Sequence, residues 1–400
     1  MNILYISQTV LNLNDINIYS DLINELKSRG HNVTAVFADA KCERTQMLTE
    51  NDCKVIKVKV GNQFGVNIIK KALVILTLET KLKNAIKKYL KDEHFDLVLY
   101  ATPPITLANV IKYSKKKFNC KSYLMLKDIF PQNAVDIGML KKTGLKGFIY
   151  KHFRKKEMQL YNLSDKIGCM SEGNVQYLLK ENPYLDKDKV EIFPNASIIR
   201  QLENKDKSIL EKYGIDSNKL IFLYGGNLGK PQGLEKYALA LKQCENMEDI
   251  CFVNIGKGSE KEKFFESVKD LKNVVNLDYL PTKDYDDLCR ACDIGVVLLD
   301  YRFTIPNFPS RTLSYLHNEM PILAFTDNNT DYKDFVMDNN IGKWACSDNI
   351  DGFVECVKWF NENREKLLEL KNNARRVLIE QFNVKDCADK LEKFIAKEEN

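Results

Sequence analysis

The stretch Leu220-Ile221-Phe222-Leu223-Tyr224-Gly225-Gly226-Asn227-Leu228-Gly229-Lys230-Pro231-Gln232-Gly233 runs from an apolar strand pattern into a glycine-rich turn, and LEKYALALK (234–242) follows with helical periodicity. A strand–turn–helix unit of this kind belongs to parallel α/β architecture, because parallel strands need crossover connections that are usually helical. Outward from it the alternation repeats. Strand patterns recur at 250–255, 274–277, 294–298, 321–325 and 343–345. In the first half they fall at 2–6, 31–37, 54–58, 97–100, 122–126, 166–169 and 191–193. The pattern predicts an α/β protein of two Rossmann-like, doubly wound domains facing across a cleft, with helices on both faces of each parallel sheet. The polar segment 196–219 lacks strand character and sets the break: a first domain over 1–197, a second over 198–381, and an amphipathic helix over 382–400 returning to the first. Ligands in such sheets bind beyond the carboxyl ends of the strands, so the loops there are where chemistry is to be sought.

Composition narrows the function classes. The 400 residues are 44% hydrophobic and 29% charged, with 18 Gly and 10 Pro and no collagen-like, heptad or solenoid period, which excludes disorder and fibres. Residues 1–7 are a short apolar run with no positive region before it, which reads as a first strand rather than a secretory signal. The run 72–78 is far short of the roughly 20 apolar residues that cross a bilayer. Eleven scattered Cys, an odd number, fit reduced thiols in a cytoplasmic protein. Cys289 and Cys292 form a C-x-x-C without a second pair at zinc spacing, and His31, His94, His152 and His317 are far apart, so no metal site is expected.

The net charge of +5 hides an asymmetry: residues 1–200 hold 32 Lys+Arg against 20 Asp+Glu, and residues 201–400 hold 28 against 35. Two segments mix basic and apolar residues: one carries Lys70, Lys71, Lys81, Lys83, Lys87 and Lys88, the other Lys141, Lys142, Lys146 and Arg154. Each reads either as a helix with a solvated lysine face or as a surface for anionic lipid, where a basic residue contributes about 1 kcal/mol. No nucleic-acid motif accompanies the charge, and no nucleic-acid partner is expected.

Three loops of the second domain suit a phosphorylated ligand. In the first, Gly226, Asn227, Gly229, Lys230 and Gln232 bring backbone N–H groups and a cation before a helix N-terminus. The spacing is neither the dinucleotide fingerprint nor a P-loop. The second is Gly256-Lys257-Gly258, and the third is Ser310-Arg311, where hydroxyl and guanidinium come together at a helix start. A helix cap for Ser310 and a surface ion pair for Arg311 are the competing readings.

These motifs, in the order RGHNV (29–33), DIFPQNAVDIG (128–138), IFPNAS (192–197), YGGNLGKPQGL (224–234), VNIGKGSEKE (253–262), NVVNLDYLPTKD (273–284), ACDIGVVLL (291–299) and FPSRTLSYLHNEMPILAF (308–325), resemble the family-4 glycosyltransferases of the GT-B fold. The likeness is strongest to the bacterial O-antigen and capsule branch, similar to the N-acetyl-L-fucosamine transferases. It implies transfer of a hexosyl- or N-acetylhexosaminyl-type sugar from a nucleoside diphosphate donor, by default UDP, bound by the second domain, to an acceptor bound by the first. It also implies metal independence, retention of configuration and no cofactor. The donor set expected from it adds Tyr279 and Ser314 to the loop residues above. Lys127 and Asp128, at the end of strand SYLML, match the positions where relatives place a basic residue and an Asp, with Asp128 accepting or orienting the acceptor hydroxyl proton. A turn or cap aspartate is the plainer reading, and Asp136 is a weaker candidate.

The chain departs from the family pattern. Asn227 and Gln232 stand where many relatives carry Arg and Lys, Pro306 and Ser314 where paired glutamates are usual, and Glu319 where a Gly is usual. The donor cations expected instead are Lys230 and Arg311. Acceptors in this branch are commonly carried on polyprenyl diphosphate, so the basic segments are expected to meet an anionic membrane surface, placing the enzyme peripherally on the inner face of the cell membrane. The competing expectations are an inactive scaffold subunit and a sugar-nucleotide epimerase or phosphorylase of the same fold.

Overall fold

The computed structural model describes residues 1–8, 12–61, 68–202 and 206–396, apart from the side chains of 68–73, 75, 76 and 282. The chain divides into two compact units, Met1–Ile198 with Asn383–Asn400, and Ile199–Phe382.

The first unit holds β1 (Asn2–Ser7), β2 (Asn32–Asp39), β3 (Gln46–Glu50), β4 (Cys53–Lys59), β5 (Leu97–Thr102), β6 (Lys121–Leu126), β7 (Lys166–Cys169) and β8 (Val190–Ile192). Their order in the sheet is β3-β4-β2-β1-β5-β6-β7-β8. Every pairing is parallel except β3 with β4. β3 departs from the all-parallel expectation. It is an exposed edge strand without an apolar run, joined to β4 through Asn51 and Asp52, both at positive φ. Asn and Asp tolerate that conformation better than most residues, which lets the chain reverse in two residues.

The second unit holds β9 (Leu220–Asn227), β10 (Ile250–Lys257), β11 (Val274–Leu277), β12 (Ile294–Leu298), β13 (Ile322–Thr326) and β14 (Gly342–Cys346), in the order β11-β10-β9-β12-β13-β14 and parallel throughout. β12 and β13 are buried along their whole length. Burial on both faces explains why their sequences read as continuous apolar runs rather than alternating ones.

The last helix, Val384–Ala396, belongs to the first unit. Val384 N–H donates to the Ser197 carbonyl at 3.0 Å, and Val384, Cys387, Ala388 and Leu391 bury in the core that also contains Leu22, Leu26 and Phe193. Arg29 pairs with Asp389 at 2.5 Å and Glu392 at 2.9 Å, fastening this helix to Ile18–Ser28. All eleven thiols are free, and Cys289 and Cys292 are buried, as small apolar side chains are. Among the described residues no helix is long and apolar enough to cross a membrane.

Candidate functional site

In the second unit the sheet order reverses direction between β9 and β12, which is the switch point where open α/β sheets bind ligands. The loop leaving β9 lies there, and its geometry explains its glycines. Gly226 has φ 152°, and a Cβ on it would strike the Arg311 guanidinium. Gly256, φ 155°, has no room either: its Cβ would fall on the Gly226 carbonyl oxygen. Two loops thus pack backbone against backbone, which only glycine permits. Leu228 N–H donates to the Lys257 carbonyl at 3.0 Å, and Asp300 N–H to that of Pro231 at 2.9 Å.

Asn227 and Gln232 brace this loop. The Gln232 side-chain oxygen accepts from Asn227 Nδ2 at 3.0 Å and from Gly229 N–H at 3.3 Å. Lys230 is exposed beside them. Lys257 is also exposed, with Nζ 4.4 Å from the ring centre of Tyr279.

Arg311 lies against this loop. Its guanidinium donates to the Gly225 carbonyl and sits 4.4 Å from the Tyr224 ring centre. Tyr315, one helical turn on, is held by the carbonyls of Leu223 at 3.0 Å and Val296 at 3.1 Å, while its hydroxyl accepts from Gly225 N–H at 3.3 Å. Burial pushes the phenols of Tyr224, Tyr285 and Tyr315 upward, so all three are neutral at physiological pH. The half-buried guanidinium thus sits among neutral partners, and no carboxylate among the described residues pairs with it. A cation in that state favours an anionic ligand, and its planar fork of donors matches phosphate oxygens.

Ser310 is exposed and does not cap the following helix, Thr312–His317. The first amides there already donate to carbonyls, Thr312 to Pro309 and Leu313 to Ser310, so the hydroxyl has no capping task. Ser314, expected in the donor set, is half-buried, with Oγ 3.9 Å from the buried Cys289 Sγ on the helix Thr282–Ala291.

In the first unit Lys127 and Asp128 follow β6 and behave differently from each other. Lys127 Nζ donates to the carbonyls of Phe193 at 3.2 Å and Pro194 at 3.3 Å, and burial lowers its pKa to about 8. It ties β6 to the segment after β8, using two of its three N–H donors on backbone carbonyls. Asp128 accepts from Asn133 Nδ2 at 2.7 Å, and burial raises its pKa to about 6 against the lowering effect of that bond and of the Ile129 N–H. Asp136 accepts from Gln132 Nε2 at 2.6 Å on the same short helix, Gln132–Asp136.

The two basic segments also differ. On the helix Ile68–Tyr89, Lys81, Lys87 and Lys88 are exposed, and Lys83 and Lys87 carry Nζ 5.5 and 5.3 Å from the Tyr113 ring. The side chains of Lys70 and Lys71 lie outside the described residues. Lys141, Lys142 and Lys146 are exposed at the start of the helix Gly144–Leu163. Arg154, expected on the same surface, is oriented differently. It turns inward to Glu157 at 2.7 Å and Asn182 at 2.6 Å, because the buried Glu157 carboxylate needs a cation.

Sequence reasoning missed the tyrosine frame of Arg311 and the Asn133 partner of Asp128. The signal for one was present: Tyr315 stands four residues after Arg311, the spacing of neighbours on one helix face. The other partners come from separate elements and have no local signature.

Comparison with known proteins fits this geometry. The two-unit architecture is the GT-B fold, seen with TM-score 0.69 over 99% of this chain and all of Anabaena Alr3699/HepE in complex with UDP, at 13% identity. WaaG, a glycosyltransferase involved in lipopolysaccharide biosynthesis, superposes with TM-score 0.66 over 99% of this chain and all of its own, at 14% identity. Residues 205–377 match the family model Glycosyl transferases group 1, a segment containing all three phosphate-suited loops. The chain is 26% identical over 273 residues to "Probable glycosyltransferase WbjE" of Pseudomonas aeruginosa, covering 64% of this chain and 63% of that one. The chain spans less than two thirds of the length of the curated relatives it matches.

Proposed function

We propose that this protein is a glycosyltransferase of bacterial surface polysaccharide synthesis. It transfers a hexosyl or N-acetylhexosaminyl group from UDP, without metal and with retention, to an acceptor carried on polyprenyl diphosphate at an anionic membrane surface. The observation that carries the reading is Arg311, a half-buried guanidinium with no carboxylate partner among the described residues, beside the glycine loop at the switch point. The matching group 1 segment and the UDP held by the Anabaena protein support the donor class.

In this reading the bond between the sugar's anomeric carbon and the β-phosphate oxygen breaks, and a bond to the acceptor oxygen forms. Arg311, Lys230 and the amides of Gly226 and Gly229 stabilise the charge left on the phosphate, and one such donor is worth roughly 2.7–4 kcal/mol. Lys257, Gly258, Tyr279 and Ser310, all exposed around the same loops, complete the donor surface. In the first unit the Asp128 carboxylate accepts a hydrogen bond from the acceptor hydroxyl and aims it, while the departing phosphate takes the proton.

A thermal-shift screen with UDP, GDP, CDP and ADP in metal-free buffer tests the reading. Ligand at a hundredfold excess over Kd stabilises the folded state by about 2.7 kcal/mol. A selective shift with UDP, abolished in Arg311→Ala, is expected. No shift with any nucleotide would overturn the donor assignment and favour a scaffold role.

A further inference from the structure

Three apolar side chains stand out of the fold where they have least reason to. On the helix Gly144–Leu163, Leu145, Phe148 and Ile149 are 86%, 72% and 48% exposed. Their spacing of i, i+3 and i+4 places them on one stripe. Lone exposed hydrophobics are ordinary, whereas a cluster on one face marks an interaction surface.

The charge around the stripe identifies its occupant. Lys141, Lys142 and Lys146 are exposed beside it, and between Asp136 and Glu157 the chain has seven Lys and Arg and no carboxylate. The short loop before the helix is pressed against its first turn. A Cβ on Gly147 would fall 2.7 Å from the Lys142 carbonyl oxygen, so the lysines of the loop stay next to the stripe. An unopposed basic rim around a projecting apolar stripe is the pattern of a segment lying in a lipid interface. A protein partner would have to present a carboxylate-rich surface with an apolar centre.

The described part of the other basic helix shows a different arrangement. Ile68–Tyr89 buries Leu78, Leu82, Ala85 and Ile86 in the core, and among its described residues no large apolar side chain is exposed. Two of its lysines lie over Tyr113. Lysine content is similar in the two segments, and among the described side chains what separates them is where the apolar ones went.

We infer that the N-terminal half of the helix Gly144–Leu163 is the membrane-docking surface of this protein. Leu145, Phe148 and Ile149 enter the interface of an anionic bilayer, and Lys141, Lys142 and Lys146 meet its headgroups. The inference deepens the membrane part of the function proposed above and assigns it to one of the two basic helices.

Flotation with sonicated vesicles tests it, comparing phosphatidylcholine alone with an equal mixture of phosphatidylcholine and phosphatidylglycerol. The wild-type chain is expected to float with the mixed vesicles, to be released by salt, and to stay behind with the neutral ones. Leu145→Ser with Phe148→Ser should weaken partitioning by about tenfold or more. Each of Lys141→Gln and Lys142→Gln should weaken it by about fivefold. Lys83→Gln with Lys87→Gln should leave it nearly unchanged. All these positions are exposed or rim positions, and an unaltered melting temperature verifies the fold. Failure of the wild type to float, or flotation of the Leu145→Ser/Phe148→Ser chain at wild-type level, overturns the inference. The UDP shift in the second unit reports separately. Its absence with flotation intact would sink the transferase reading and leave the docking surface standing, and the reverse result would do the opposite.

Discussion

The loops after β9 and after β6 both present charged side chains at the carboxyl end of a parallel sheet, and they treat that charge in opposite ways. The loop after β9 is faced by Arg311, which comes from the start of the helix Thr312–His317 and lies among Tyr224, Tyr285 and Tyr315, none of which neutralises it. After β6, the ammonium of Lys127 is held by two carbonyls, and the carboxyl of Asp128 is tuned by burial against two amide donors, Asn133 Nδ2 and the Ile129 N–H. The first arrangement suits an anion, as the proposed function requires. The second sets a protonation state. Buried charge costs free energy unless paired, so a site that leaves it unpaired is poised to recover the cost from a ligand.

The sharpest way to break the contrast is to remove the unpaired charge. Arg311→Ala should lower kcat by about 10²–10³-fold, as loss of one preorganised donor to a developing anion does. The UDP thermal shift should vanish with it. Arg311→Lys keeps the charge but loses the fork, and should recover only part of the shift. If Arg311→Ala retained both rate and shift, the loop after β9 would have no special status.

Gly226→Ala attacks the same site from the backbone. At φ 152° an added Cβ both strains the chain and displaces the guanidinium. Strain of this kind costs on the order of 1–3 kcal/mol, so the melting temperature should fall while UDP affinity is lost. A variant as stable as the wild type that still binds UDP would show the loop geometry to be incidental.

Asp128 tests the other half. Under the proposed role its pKa of about 6 predicts that kcat/KM falls as pH drops through about 6, because the ionised carboxylate is the stronger acceptor for the hydroxyl's hydrogen bond. A hydrogen bond to a charged group is worth about 1.5–3 kcal/mol, so Asp128→Asn should lose roughly tenfold to a hundredfold and abolish the acid limb. The stability effect has the opposite sense. With a folded-state pKa above the unfolded one, the group's contribution is fully present below pH about 4 and is lost as pH rises through about 6. A pH–rate profile and a pH–melting series should therefore slope in opposite directions across that window.

How far the sequence carried differs between the two units for a physical reason. Central strands such as β12 and β13 are apolar throughout because both faces are covered, and their limits are legible to within a residue. β3 was not, since an exposed edge strand carries no such run. Glycine loops were legible as phosphate-suited, yet the direct cause of Gly256 is contact with the Gly226 carbonyl rather than a ligand. Roles that depend on direction were the least legible. Lys127 and Arg154 share the residue types of functional cations, but each is turned toward internal oxygens by partners distant in sequence.

The smallest effect concerns the helix that holds Arg311. Thr312–His317 ends in a Schellman arrangement, with Met320 N–H donating to the Tyr315 carbonyl at 2.9 Å and Glu319 N–H to that of Leu316 at 3.1 Å. The residue that must turn left-handed there is Glu319, at φ 53°, a position where glycine is the usual occupant. A side chain in that conformation costs about 1–2 kcal/mol, while glycine adds roughly 0.5–1 kcal/mol of unfolded-state entropy. Glu319→Gly should thus stabilise by up to about 1 kcal/mol, or a rise of about 2–4 °C in Tm. The same cap fixes the carbonyl of Tyr315, whose hydroxyl in turn reaches Gly225, so the variant also asks whether strain is needed at the Arg311 site. Unchanged kcat/KM with a higher Tm would mean that it is tolerated without being used. A lower kcat/KM would mean that the left-handed glutamate helps to aim the helix at its anion.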